Sequence, residues 1–297
     1  MKAMMKMLRQ AAWAQTLILA ALVPGLILWP MPVRSNPSGA AVAHGIVEID
    51  ESVPGQLKIN QGSDKAIINW QDFSIGAGEL TEFLQPGVDA VALNRVISGN
   101  PSTLLGTLKA NGGVILVNQN GILVGGGGVV DIGGLAVMST LDIDDADFLN
   151  GGPMNFKGNS AAGVTNLGTI TSRGGDVVLL GNFVDNQGAV GAPDGTVAFG
   201  AGGEFIVDTI GDSRLSVIAG GQGGEKGITN SGTVSAAAVE FKAHGNVYAL
   251  AIQNTGIVRA NGVSRRNGRI ILSAAGDGSV GGRIENTGTL QARNADG

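Results

Sequence analysis

A five-residue figure recurs through the second half of the chain: asparagine, any residue, glycine, any residue, then an apolar residue. It appears as Asn166-Leu167-Gly168-Thr169-Ile170, Asn186-Gln187-Gly188-Ala189-Val190, Asn230-Ser231-Gly232-Thr233-Val234, Asn254-Thr255-Gly256-Ile257-Val258 and Asn286-Thr287-Gly288-Thr289-Leu290. The intervals are 20, 44, 24 and 32 residues. Most copies are followed by a second strand-like run: Asp176 to Leu180, Thr196 to Phe199, Val239 to Phe241 and Arg269 to Leu272. The interval of 44 reads as two periods, with a weakly marked unit at Leu215-Ser216-Val217-Ile218. A loose period of this size, built from short strands and glycine corners, is the signature of a solenoid. One such rung cannot bury its apolar face alone. Stacked rungs share a core and a ladder of backbone hydrogen bonds about 4.8 Å apart. Asparagine tolerates corner geometry, and its stacked side chains can form a ladder of their own.

The stretch Leu105 to Thr140 shows why helices are excluded. It passes through Val114 to Val117, the turn Asn118-Gln119-Asn120-Gly121, Ile122 to Val124, four glycines (Gly125 to Gly128), Val129 to Ile132 and Leu135 to Met138. Each glycine would cost a helix about 1 kcal/mol relative to alanine. The runs are strand length, and Gly or Asn marks each break. Glycine supplies 50 of the 297 residues, yet no Gly-X-Y period accompanies it, so collagen is excluded. The fold class expected is all-β, a right-handed parallel β-helix. A closed barrel comes second, because it needs alternating strands of about ten residues.

Further strands precede this stretch. Ile46 to Ile49 and Leu57 to Asn60 flank Pro54-Gly55, and Ala66 to Trp70 leads through Phe73 to Ile75 into Leu80 to Leu84. Val88 to Val96 reads as one more strand before the turn at Asn100-Pro101-Ser102. The chain ends just past a repeat that has no second strand and no evident cap. That is expected of a fragment or of a truncated member of a longer class.

Charge and targeting narrow the partners. Residues 1–35 carry Lys2, Lys6, Arg9 and Arg34 and no acid, followed from Ala11 by an apolar run interrupted at Pro24-Gly25. This is the pattern of a secretory signal peptide rather than a membrane span. Small residues allow cleavage after Ser35, before Asn36, or after Ala43, before His44. Removing the four basic groups leaves 15 basic against 24 acidic residues, a net −9. An acidic body argues against nucleic acid as a partner.

Candidate chemical sites are sparse. Asp142, Asp144, Asp145 and Asp147 form an acidic run, but Ala146 stands at the third ligand position of an EF-hand and the required glycine is missing, so a solvated loop is expected. Gly125 to Gly128 lack the Lys-Ser/Thr of a phosphate loop. His44 and His244 have no cysteine with which to form a zinc site and no repeated partner. Arg265-Arg266, beside Asn267-Gly268, reads as a surface turn. No catalytic residue, cofactor or metal is expected.

Taken in order, Ala66 to Gly76, Phe83 to Pro86, Leu93-Asn94-Arg95-Val96, Leu105 to Leu108, Asn118 to Ile122, and Gly133 to Leu135 with Ser139-Thr140 resemble the two-partner secretion domain of filamentous-haemagglutinin-type exoproteins, also called the haemagglutination activity domain. The resemblance runs from about Gly45 to about Phe148. It implies a right-handed β-helix with N-terminal capping strands. It also implies export by the general secretion route of a Gram-negative bacterium, recognition by a partner outer-membrane transporter with periplasmic domains, and folding outside the cell. The family's Asn-Pro-Asn-Gly-Ile turn falls on Asn118, Gln119, Asn120, Gly121 and Ile122. Glutamine stands where proline is usual, which keeps a type I turn possible but less rigid. These five residues are candidates for a corner turn, for transporter recognition, or for both. Asn94 and Arg95 are candidates for the same recognition face, with a buried corner asparagine and a surface arginine as the plainer reading. The resemblance favours cleavage between Ser35 and Asn36.

The expected organisation is a signal peptide at 1–35, the secretion domain at 36–160 and β-helical repeats at 161–297. The expected function is that of a secreted, non-enzymatic exoprotein or adhesin module at the cell surface, with a host cell or another bacterium as a further partner. Two alternatives remain open. One is the secretion module of a haemolysin or contact-dependent inhibition toxin whose effector lies elsewhere. The other, less favoured, is a β-helical polysaccharide-active enzyme, for which no column of acids and bases is visible.

Overall fold

A computed structural model describes residues 36–208, 214–217, 226–244, 250–263, 268–275 and 282–294. The signal peptide and the Arg265-Arg266 turn lie outside the described residues.

The chain winds as a right-handed parallel β-helix with three faces. The first face stacks Gln56–Gln61, Leu80–Leu84, Thr107–Ala110, Val129–Ile132, Thr169–Ser172, the first part of Ala189–Ala201, the first part of Thr233–His244, Ile257–Asn261 and Thr289–Arg293. The second face stacks Lys65–Trp70, Val91–Val96, Gly113–Val117, Ala136–Ser139, Val177–Gly181, the later parts of the two long strands, and Arg269–Ala275. The third stacks Ser102–Leu104, Ile122–Val124, Val164–Asn166, Val184–Asn186, Lys226–Asn230, Leu250–Asn254 and Ile284–Asn286. The ladders cross residue 160 without interruption, since Val124 pairs with Asn166.

Alternation along each strand sends one set of side chains inward, as the period of two requires. Leu57, Ile59, Ile68, Phe83, Leu108, Leu116, Val130 and Ile170 are among the buried residues of this interior. Phe199 and Phe241 lie in register on adjacent rungs, with rings stacked at 4.6 Å and 3°. Ring spacing thus follows strand spacing.

The Asn-x-Gly repeat has a double physical cause. Asn166 donates its amide to Asn186 (2.8 Å), Asn186 to Asn230 (2.7 Å), Asn230 to Asn254 (2.6 Å) and Asn254 to Asn286 (2.6 Å). The first four of these are fully buried, so each amide satisfies the next in place of water. Two residues on, the backbone must turn against the rung before it. A Cβ on Gly232 would stand 2.0 Å from the Gly188 carbonyl, and one on Gly256 2.1 Å from that of Gly232.

Antiparallel strands close the N-terminal end, as the resemblance implies. Ala41–His44 pairs with Lys65–Trp70, and Val47–Asp50 with Gln56–Gln61. Val47 and Ile49 pack against the interior beneath them.

Two segments leave the solenoid and meet on its outer wall. The first contributes Asp142–Ile143, helix α1 (Asp145–Asn150) and Met154–Lys157, and the second contributes Glu204–Val207 and Leu215–Val217. They form a four-stranded antiparallel sheet. This roof covers the outward side chains of the second face. Ile67, Leu93, Ile115, Val137 and Val178 form one buried cluster with Phe148, Phe156, Phe205 and Leu215. The assignment of a rung at Leu215 to Val217 is therefore corrected, and Ile218, the last residue of that expected unit, lies outside the described residues. The 44-residue interval is a single turn of the solenoid carrying an excursion, and Leu215 is apolar because it faces the roof interior. The strand expected from Val88 begins at Val91.

Candidate functional site

Asn118 to Ile122 forms the corner between the second and third faces. Gly121 N donates to Asn118 O at 3.1 Å and closes the turn, with Gly121 at φ +114°, a conformation that glycine accepts without strain. Asn118 is fully buried and works in three directions. Its backbone N donates to Ser139 O (2.9 Å), its Nδ2 donates to Asn100 O (2.9 Å) and Ser102 Oγ (3.0 Å), and its Oδ1 accepts from Asn120 N (2.9 Å). The corner is thus sewn to the rung below and the rung above.

Asn120 and Gln119 are exposed. Asn120 Nδ2 donates to Ser98 O at 2.8 Å, and the Gln119 carbonyl accepts from Ser160 Oγ at 2.5 Å. The expectation of a less rigid turn is modified by these bonds. The Asn118 side chain folds the turn in the manner of an Asx turn, independent of a proline ring. Neither bond made by Gln119 and Asn118 carbonyls needs the N–H that proline would remove. The partners Ser98, Asn100, Ser102 and Ser160 escaped sequence reading, since nothing local ties them to a turn 16 to 41 residues away.

Asn94 and Arg95 are brought together with other things. Asn94 points into the solenoid, fully buried in the middle of Val91–Val96 rather than at a corner. Its Oδ1 accepts from Trp70 Nε1 (2.9 Å), and its Nδ2 donates to Ala92 O (3.2 Å). Trp70 in turn meets Phe73 edge to face at 5.5 Å. The cause is polar satisfaction: a buried indole N–H needs an acceptor, and Asn94 is that acceptor.

Arg95 points outward to the edge of the roof. Its Nε meets Asp142 Oδ1 at 2.9 Å, and its Nη2 meets Asp145 Oδ1 at 2.9 Å and the Ile143 carbonyl at 2.8 Å. Burial alone would lower its pKa. Asp142 and Asp145 more than offset that and hold the guanidinium above its ordinary value. The acidic run is accordingly not a free solvated loop: half of it is a counter-charge that fastens strand and helix to the wall. Lys65 fastens the other end of α1, donating to Phe148 O (2.7 Å) and Leu149 O (3.0 Å). Asp144, exposed, pairs with Lys157 at 2.9 Å.

At the proposed cleavage point, Asn36 Oδ1 accepts from Thr81 Oγ1 at 3.1 Å, and Pro37 beside it is buried. Ser35 lies outside the described residues. Ala43, the other cleavage candidate, sits inside a capping strand.

The chain matches the family described as the TPS secretion domain over residues 34–287. Two curated relatives, both named heme/hemopexin-binding protein and both from Haemophilus influenzae, are 31% identical over 250 residues (81% of this chain) and 33% identical over 254 residues (77% of this chain). The chain spans 27% of the length of each. Among solved structures, the secretion domain of HMW1 from Haemophilus influenzae aligns with a TM-score of 0.69 at 28% identity, covering 80% of this chain and 62% of that one. A solenoid with an antiparallel cap, a continuous family match and these relatives agree: the chain belongs to the two-partner secretion domain family and is a secretion module of exoprotein type.

Proposed function

We propose that this module is exported, after removal of residues 1–35, through a partner outer-membrane transporter, and that the corner Asn118 to Ile122 belongs to what the transporter reads. The observation that carries this is the division of labour at the corner. Asn118 is buried and structural, whereas Asn120 and Gln119 present polar groups to solvent on a fixed frame. Its role is binding and templating rather than catalysis. Cleavage after Ser35 is supported by the cap, because a cut after Ala43 would remove the strand paired to Ile67, Ile68 and Asn69. We take residues 36–160 to contain the recognised part and 161–297 to continue the solenoid.

Asn94 and Arg95 support folding of that part. Asn94 is enclosed, and Arg95 is spent on two carboxylates, so neither offers a free surface group in the folded state. The test is a pair of single changes. Asn120→Ala should cut secretion severely while lowering the unfolding free energy of refolded protein, from urea titration, by only about 1 kcal/mol, the worth of its exposed side-chain hydrogen bonds to Ser98 O and Asn118 Oδ1. Asn118→Ala should lower both. Equal secretion of Asn120→Ala and parent would remove the corner from the recognition surface.

A second reading concerns the cargo. The curated relatives carry heme/hemopexin binding in their names. We propose a ligand of that class for the full exoprotein and not for this module, whose sole histidines are His44 and His244. Haem titration of the module should leave the haem absorption spectrum unshifted. A stoichiometric shift would place the ligand site here. Adhesin and toxin cargoes remain the alternatives, and exchange of material with host cells or bacteria would distinguish them.

A further inference from the structure

The corner also contains a reactive dipeptide, Asn120-Gly121. In an Asn-Gly pair the backbone nitrogen of glycine can attack the asparagine Cγ. The N–Cγ bond forms, the Cγ–Nδ2 bond breaks, and Nδ2 leaves as ammonia with the proton from the glycine nitrogen. Water then opens the cyclic imide at Cγ to aspartate, or at the main-chain carbonyl to isoaspartate. Glycine is the favoured neighbour because it has no Cβ to hinder the approach.

We infer that Asn120 is a deamidation site that the folded corner closes and the unfolded chain opens. The nucleophile and the leaving amide are both engaged in the fold, and the backbone between them is fixed. The nucleophile, Gly121 N, donates to Asn118 O at 3.1 Å. The leaving amide, Asn120 Nδ2, donates to Ser98 O at 2.8 Å and to Asn118 Oδ1 at 3.2 Å. The residue's own N is held by Asn118 Oδ1 at 2.9 Å. Attack requires all of these to rotate together, so it waits on local opening of the corner.

Of the five Asn-Gly pairs in the sequence, Asn150-Gly151 supplies the contrast. Asn150 is exposed at the end of α1, and no hydrogen bond holds its side-chain amide among the described residues. Gly151 follows at φ +72°. Asn150 is therefore a site at which the folded protein ages, and Asn120 one that ages in addition once the chain is unfolded.

Conversion at Asn120 is not silent. Both partners of Nδ2, Ser98 O and Asn118 Oδ1, are acceptors. A carboxylate at 120 loses both bonds and sets its charge against two oxygens. Isoaspartate also lengthens the backbone by one carbon at a corner pinned to the rungs on either side. A chain that waits too long unfolded thus loses the corner. The consequence for export rests on the recognition role proposed above for that corner.

The chemistry is tested by peptide mapping of the full chain incubated in mildly alkaline buffer, folded or held unfolded in urea. Unfolded, Asn120 and Asn150 should convert at comparable rates. Folded, Asn120 should convert at least about tenfold more slowly than Asn150, because a modest opening free energy suffices for that ratio. In the folded Asn118→Ala protein, the rate at Asn120 should rise toward the unfolded one. Comparable folded rates at Asn120 and Asn150, or no conversion of Asn120 in urea, would overturn the inference. Secretion of Asn120→Asp separates the two claims. Normal secretion with fold-gated conversion leaves the chemistry standing and removes its consequence for export.

Discussion

Arg95 and Asp142 are 47 residues apart in sequence and 2.9 Å apart in space, Nε to Oδ1. Their pairing is where the outer roof is fastened to the solenoid wall. The Arg95 side chain is 16% exposed, and its Nη2 also holds Asp145 and the Ile143 carbonyl. Arg95→Met should therefore leave two carboxylates and a carbonyl without their donor, at a cost of about 1–3 kcal/mol. Urea denaturation of the purified module measures this. The sign of the pH dependence follows from the raised pKa of Arg95. A group raised on folding contributes fully below its unfolded value and loses that contribution as pH rises through the folded one. The stability difference between parent and Arg95→Met should therefore stay undiminished up to about pH 10, well below the arginine range.

The asparagine ladder makes a second prediction, graded by position. Asn230 accepts from Asn186 and donates to Asn254, all three fully buried. Asn230→Ala leaves a donor and an acceptor unpaired in the interior and should cost about 2–4 kcal/mol. Asn286, which is exposed and accepts from Asn254 at 2.6 Å, should cost about 1 kcal/mol on the same change. Equal losses at the two positions would show that neither burial nor the number of bonds broken sets what the ladder contributes.

Glycine columns and glycine surfaces should separate sharply. Gly232→Ala places a methyl 2.0 Å from the Gly188 carbonyl, so the rungs must part, and a loss above about 3 kcal/mol is expected. Gly126→Ala meets nothing within 4 Å and should change stability by less than about 0.5 kcal/mol. Thermal denaturation of the two variants side by side tests both.

What the sequence made legible is what the solenoid repeats locally. Asn166 and its echoes could be read because each rung needs the same two things at its corner, an amide for the ladder and a glycine for the close approach. The roof could not be read the same way. Met154–Lys157 pairs with Glu204–Val207 across 47 residues or more, and no periodicity announces an antiparallel pairing between two excursions. Leu215 alternates with its neighbours as a rung would, because a half-buried roof strand and a rung obey the same period of two. Arg95 and Asn94 were legible as notable residues but not in role. One is decided by acids far along the chain, the other by an indole one rung below. At the corner itself, the turn was visible in Asn118 to Ile122, while the serines and asparagine that hold it were not.

The central claim is that the chain is a secretion module whose export depends on a partner. The direct measurement is release of an epitope-tagged full chain into the medium of a Gram-negative host, with and without a co-expressed two-partner transporter barrel encoded beside it. Release should require the barrel, and without it the chain should accumulate in the periplasm with residues 1–35 removed and Asn36 as its first residue. Equal release in the absence of the barrel would contradict the account.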